Sequence, residues 1–288
     1  MSTLREVQLK GYEILNQVVD ICEENNLTYY LSSGTLLGAI RHDGFIPWDN
    51  DIDIEMPLKD YRKFLQIAKK ELPENLFLQT YYTDPGYNEM WAKVRANGTT
   101  SIPIAWKDYG IHLGIGIDVF PLVGIYKNPF LRKLQVKLHG LCRTLIAKDY
   151  VVAVNPTELQ NKKLRMLYTI PRSIRVGICK LLEHFTFRDP SKEENVSIVF
   201  MEINYAVKGN AYDSSVKKKF ESREFLIPQD YDHVLTQLYG DYMTPPPESE
   251  RNGHEGTHGR IIYDCDRDYY EYLRELREVS SNCDNREK

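Results

Sequence analysis

The 288-residue chain has no stretch both long enough and free enough of charge to span a bilayer. Its opening MSTLREVQLKGYEILNQ has no basic segment followed by an apolar one, so no secretory leader is expected. These absences predict a soluble or peripheral protein. The five cysteines, at 22, 142, 179, 265 and 283, form no CxxC pair, which argues against a zinc site or a disulfide framework and for free thiols in a cytoplasmic setting. A surplus of positive charge is missing too. With 37 Lys and Arg against 41 Asp and Glu the formal net charge is -4, which excludes a generally nucleic-acid-seeking protein. No internal repeat is visible. A chain of this length buries an ample core without staples, so folding does not require its acidic residues to bind anything.

What is present is concentrated early. Thr3 and Glu6 have capping-box spacing, and Val7, Gly11, Ile14, Leu15, Val18 and Cys22 recur at helical period, which predicts a helix over 4–25. TYYLSS (28–33) reads as a short strand, followed at Gly34 by a glycine turn and a brief helix. DIDIEM then alternates strictly, sending Asp51, Asp53 and Glu55 to one face and leaving Asn50 on the other. A helix over 58–72 and strands at 77–82, 91–96 and 114–120 follow. Residues 224–242 read as a strand end and a helix, and a charged helix closes the chain.

The chemistry suggested is that of a cation and a phosphorylated ligand. Asp51 and Asp53 flank one residue, so their carboxylates project side by side at a span that suits Mg²⁺ or Mn²⁺, which are held by one or two carboxylates plus substrate phosphates. A bare DxD is common on exposed strands, but here a Ser33-Gly34-Thr35 turn precedes it and offers backbone N–H groups at a helix N-terminus. Asp118 supplies a third carboxylate from a later strand, as metal ligand or base, or simply as a strand-end cap. Lys93 and Arg95 share one strand face, suited to phosphate oxygens or to plain solvation. Trp48, Trp91 and Trp106 are candidates for an aromatic box, and Arg251 and His254 for substrate contacts in a loop. His254 and His258 lie four apart with no cysteine nearby, so zinc is not expected there.

The long motif GTLLGAIRHDGFIPWDNDIDIEMPLKDY, followed in order by KVRANGTTS, GIDVFPL, IPQDYDHVLTQLYGDYMTPPP and RNGH, resembles the signature of the LicD family of bacterial phosphocholine transferases, whose relatives include the fukutin-related ribitol-phosphate transferases. The resemblance covers 29–125 and 223–258. It implies an α+β fold, a nucleotidyltransferase-like mixed sheet with flanking helices and a helical insertion. By position it implies Gly34 and Thr35 as the phosphate turn, Asp51 and Asp53 as metal ligands and Asp118 as the third carboxylate. This chain departs from the frequent WDDD by reading Trp48-Asp49-Asn50-Asp51.

The expected organisation is a catalytic core over 1–126, a basic, mainly helical insertion over 127–222 and a C-terminal part over 223–288 that packs on the core. Between 127 and 180, twelve basic residues stand against Asp149 and Glu158, which suits a membrane-surface or polyanion-binding face and equally a solvated helical subdomain. The expected activity is metal-dependent transfer of phosphocholine or a related phospho-alcohol from a CDP-linked donor, CDP-choline first, to a hydroxyl of a cell-surface glycan or a lipid-linked precursor, releasing CMP. A DxD glycosyltransferase using a nucleotide sugar and a non-catalytic binding domain are the rival readings.

Overall fold

In the computed structural model, residues 1–199, 206–251 and 260–284 are described. The chain order is α1 (Leu4–Glu24), β1 (Tyr30–Leu31), α2 (Ser33–His42), β2 (Asp53–Pro57), α3 (Leu58–Glu71), β3 (Leu76–Gln79), β4 (Ala92–Ala96), β5 (Thr100–Pro103) and β6 (Gly116–Ile125). Helices α4 (Pro129–Ile146), α5 (Lys148–Ala153), α6 (Lys162–Leu167) and α7 (Arg172–Thr186) follow. The chain then forms β7 (Asn195–Ile198), β8 (Val207–Lys208), β9 (Ser215–Phe220), β10 (Arg223–Pro228), α8 (Tyr231–Tyr239), β11 (Ile261–Asp264) and α9 (Tyr269–Asp284).

The seven-stranded main sheet is mixed, and β6 is its axis. Its sequence GIDVFPLVGI is apolar almost throughout and buried almost throughout, as a strand covered on both faces must be. It pairs parallel with β2 over Asp118–Leu122 and, on its other side, antiparallel first with β4 and then with β7. Pro121 sits at the changeover between those two partners, where a missing N–H costs no ladder bond. Its carbonyl still accepts from the Val199 N–H at 3.0 Å. Outside this sheet, β9 and β10 form a hairpin, and β5 pairs with β11.

Helix α1 packs Ile14, Leu15 and Val18 into the core that also holds Ile52, Ile54 and Val119. The Thr3 capping box forms as expected. A second cluster lies under α4 and α7, and a third gathers Tyr87, Tyr109 and Ile262 beside β5. The expected mixed sheet, flanking helices and intervening helical segment are all present.

Several local expectations are corrected. The strand expected over 77–82 ends at Gln79, where Thr80 and Thr83 close a turn through their hydroxyls. The acidic strand begins at Asp53, not Asp51, so strict alternation does not govern 49–52. Strands β5 and β7 were not foreseen from local pattern.

Candidate active site

The parallel register sets Asp53 opposite Asp118, and the antiparallel register on the other side sets Asp118 opposite Lys93. Three neighbouring strands thus present Asp53, Asp118 and Lys93 as one row, because side chains at paired positions share a sheet face. The row lies in a cleft of about 650 Å³, also lined by Ser33, Gly34, Asp49, Asn50, Asp51 and Arg95.

Asp118 is held from both sides. The Trp91 indole N–H donates to its Oδ1 at 2.6 Å, and Lys93 Nζ lies 2.7 Å from its Oδ2. Asp53 has different surroundings. Burial, and then the charges of Asp51, Asp118 and Asp49, push its carboxyl well above its ordinary value, with Lys93 pulling the other way. Lys93 thus bonds Asp118 and lowers the carboxyl of Asp53 beside it.

Helix α2 closes the cleft above this row. Ser33 enters it with φ 47°, in the left-handed region, and Gly34 follows. A Cβ on Gly34 would lie 2.7 Å from Asp49 Oδ2, so only glycine admits that carboxylate to the start of the helix. Thr35, expected at the phosphate turn, is not among the cleft-lining residues. Its Oγ1 accepts from the Asp53 N–H at 2.8 Å, tying α2 to the first residue of β2. The Ser32 hydroxyl likewise donates to buried Glu55 at 3.0 Å. The turn that carries Asp49 is anchored from α1, where Gln8 Nε2 donates to the Asp49 carbonyl at 2.7 Å.

Asn50 was expected on the face opposite the aspartates. It lies in the turn before β2 and lines the cleft, with its amide donating to the Tyr263 hydroxyl. Arg95 also lines the cleft, but it is buried, and its guanidinium donates to Gln79 Oε1 and to the Gly114 carbonyl, cross-linking strands and turn. Trp48 and Arg251 lie together with the guanidinium 4.8 Å from the indole centroid, and neither is among the cleft-lining residues. His254 lies outside the described residues.

The far wall contains residues that sequence reasoning missed. Tyr87, Asn88 and Glu89 come from the turn before β4, and Arg143 and Tyr150 from α4 and α5. Tyr87 is buried, and its hydroxyl makes no hydrogen bond among the described residues. Glu89 Oε2 lies 3.5 Å from Arg143 Nη2, and burial raises its carboxyl to about 7, with Arg143 opposing. Trp106 lines the same wall at 84° to both Tyr109 and Tyr150. Trp106 was already a candidate, but no local pattern marks Tyr87, Asn88, Glu89, Arg143 or Tyr150, which meet only through the packing of the helical segment on the sheet.

Among the described residues, no three His, Cys, Asp or Glu side chains converge closely enough to enclose a metal ion. Mg²⁺ asks for less, since it takes one or two carboxylates and fills its shell with water and substrate phosphates. The pair Asp51 and Asp53 fits that demand, because Asp53 is strained by like charge that a cation would relieve. Asp118, with its oxygens engaged by Trp91 and Lys93, stands as the partner of the lysine.

Fold and site together define a mixed α+β protein with an acidic, lysine-containing cleft at the edge of a helix N-terminus. Residues 26–128 of the chain match the family domain described as LicD/FKTN/FKRP, nucleotidyltransferase domain. The chain is similar to the lipopolysaccharide cholinephosphotransferase LicD of Haemophilus influenzae, at 29% identity over 274 residues, covering 88% of this chain and 96% of that protein. It is also similar to human ribitol 5-phosphate transferase FKRP, at 44% over 59 residues, 20% of this chain and 12% of that one. A third similarity, to mannosyltransferase regulator 4 of Saccharomyces cerevisiae, is 25% over 122 residues, 40% of this chain and 10% of that protein.

Proposed function

We propose that the protein transfers phosphocholine, or a closely related phospho-alcohol, from a CDP-linked donor to a hydroxyl of a surface glycan or its precursor, with release of CMP. The observation that carries this reading is the row Asp53–Asp118–Lys93 in the cleft, carried by a chain similar along most of its length to a cholinephosphotransferase. A cleft of about 650 Å³ is within the usual range for ligands of nucleotide size.

In this mechanism the acceptor oxygen forms a bond to the phosphorus bearing the alcohol, and the bond from that phosphorus to the CMP oxygen breaks. Mg²⁺ or Mn²⁺, held by Asp51 and Asp53, would neutralise phosphate charge. Lys93, fixed by Asp118, supplies a further positive charge, and the N–H groups of Ser33 and Gly34 supply donors at the start of α2. Glu89 takes the acceptor proton on Oε2. Its location in the cleft wall and its raised carboxyl fit a base working near neutral pH. Trp106, with Tyr150 beside it, offers the ring surface for a quaternary ammonium group. The free thiols Cys22, Cys142, Cys179 and Cys265 fit a cytoplasmic site of action.

The test is thermal shift and turnover with CDP-choline, CDP-ethanolamine, CDP-glycerol, CDP-ribitol and sugar nucleotides, each with and without Mg²⁺. Metal-dependent stabilisation by a CDP-alcohol, followed by CMP release, supports the assignment. Response to a sugar nucleotide alone would move the protein to the glycosyltransferase class, and no response to any donor would favour a regulatory binding domain.

A further inference from the structure

The positive charge that this acidic chain lacks overall is gathered on one segment, and the fold turns only part of it inward. Arg143 meets Glu89 in the cleft wall, Arg172 donates to the carbonyls of Pro85 and Tyr81, and Arg175 is buried against the carbonyls of Ile170 and Leu145. Lys133 and Lys137 on α4, Lys162, Lys163 and Arg165 on α6, and Lys180 on α7 remain exposed.

Large apolar side chains are exposed on the same helices and on α5 between them. Phe130 and Leu181 are each 74% exposed and Met166 is 70% exposed, with Leu141, Val152 and Ile174 also open. Helices α4 and α7 run antiparallel with their inner faces joined. Gln135 donates to the Thr186 carbonyl and the Cys179 thiol to the Cys142 carbonyl, while Arg175 reaches Leu145. The exposed positions 130, 133, 137 and 141 recur at three- and four-residue spacing, so one outward stripe of α4 reads Phe, Lys, Lys, Leu. The outward side of α7 carries Ile174, Lys180 and Leu181. A solvated helix face has no use for this apolar area, and the core of a protein interface is depleted of lysine. Apolar side chains interleaved with ammonium groups match a bilayer surface, where the first enter the acyl boundary and the second meet headgroup phosphates.

We propose that the outer face of α4, α6 and α7 docks on an anionic lipid surface. The same segment supplies Arg143 and Tyr150 to the cleft, so docking would bring the cleft to the bilayer. Presentation of a lipid-linked acceptor there rests on the transferase reading, whereas the lipid contact itself does not.

The experiment is co-sedimentation of the full-length protein with phosphatidylcholine vesicles, with and without phosphatidylglycerol, at low and high salt. Binding only to the anionic vesicles, weakened by salt, is expected. Lys133→Ala combined with Lys137→Ala is expected to lower affinity about twenty-five-fold, from about fivefold per surface charge. Phe130→Ala combined with Leu181→Ala is expected to remove the binding that survives high salt. Both double variants keep the melting temperature and the CDP-choline and Mg²⁺ response of the parent, so failure of docking is distinguishable from failure of the donor assignment. The proposal is overturned by equal binding to neutral and anionic vesicles, by no binding, or by indifference to both double variants. A concentration-dependent dimer that Phe130→Ala with Leu181→Ala abolishes, without lipid binding, would assign the face to a second copy instead.

Discussion

Asp53 and Asp118 stand opposite each other on parallel neighbouring strands, yet among the described residues only Asp118 has a cation and an indole N–H in direct contact. This asymmetry runs through the cleft: Asp118 holds Lys93, whereas Asp53 lies among the like charges of Asp51, Asp118 and Asp49.

Replacing Asp53 should therefore separate stability from activity. Asp53→Asn removes a buried like-charge repulsion and is expected to raise metal-free stability by about 1 kcal/mol, while turnover falls on the order of a thousandfold. Melting in EDTA at pH 8 and initial rates with Mg²⁺ check both arms. Normal turnover in the folded variant would refute the metal role.

Lys93→Met should do the opposite. It leaves the mostly buried Asp118 carboxylate with Trp91 alone and is expected to cost about 2 kcal/mol in urea unfolding. Because the aspartate row then lacks Lys93, the Mg²⁺-induced rise in melting temperature should be larger than in the parent. An unchanged increment would mean that metal and lysine do not share the same charges.

If Glu89 accepts the proton, the rate must rise as it loses its own. With burial holding its carboxyl at about 7, kcat is expected to climb through that pH and level above it. Glu89→Gln should lower kcat about a hundredfold or more and abolish that step. A retained step near neutral pH in the variant would place the base elsewhere.

Glu55 affects stability by a related route. Burial raises it to about 7, against the lowering effects of the Tyr212 and Ser32 hydroxyls. Between its ordinary value near 4.5 and about 7 the native state binds the proton that the unfolded state has released, so this group's contribution to stability falls as pH rises across that window. The loss is on the order of 3 kcal/mol, complete above about pH 7. Glu55→Gln should remove this component, and urea unfolding of both proteins in EDTA from pH 5 to 8 would show it. Parallel pH profiles would contradict the assignment.

For donor choice, Trp106→Ala is expected to weaken CDP-choline binding about tenfold and leave CDP-ribitol binding nearly unchanged, since only the quaternary ammonium gains from a ring face. Calorimetric titration of both donors decides it; equal losses would make Trp106 a packing residue.

The elements legible in the sequence are those whose signal is local. The capping box and periodicity of α1, the glycine at the head of α2, the amphipathic α3 and the apolar run of β6 each stand in a short window. Asp51, Asp53, Asp118, Lys93, Ser33 and Gly34 were likewise identifiable, and the structure brings all six to one cleft. The start of β2 was misplaced because the anchoring of 49–52 comes from Gln8, far away in sequence. Nothing local reveals that the Thr35 hydroxyl accepts from the Asp53 N–H.

By itself the sequence determined the supply of parts: a helix-opening glycine turn, a closely spaced acidic pair, a third carboxylate on an apolar strand and a basic segment inside an acidic chain. Only the tertiary structure decided which of them meet. The registers of β2, β6 and β4 made Asp118 the partner of Lys93, and the seating of α4 and α5 carried Arg143 and Tyr150 to the cleft wall. The reason is physical: propensity and periodicity act over a few residues, whereas strand register and helix docking are set by burial of apolar faces drawn from the whole chain.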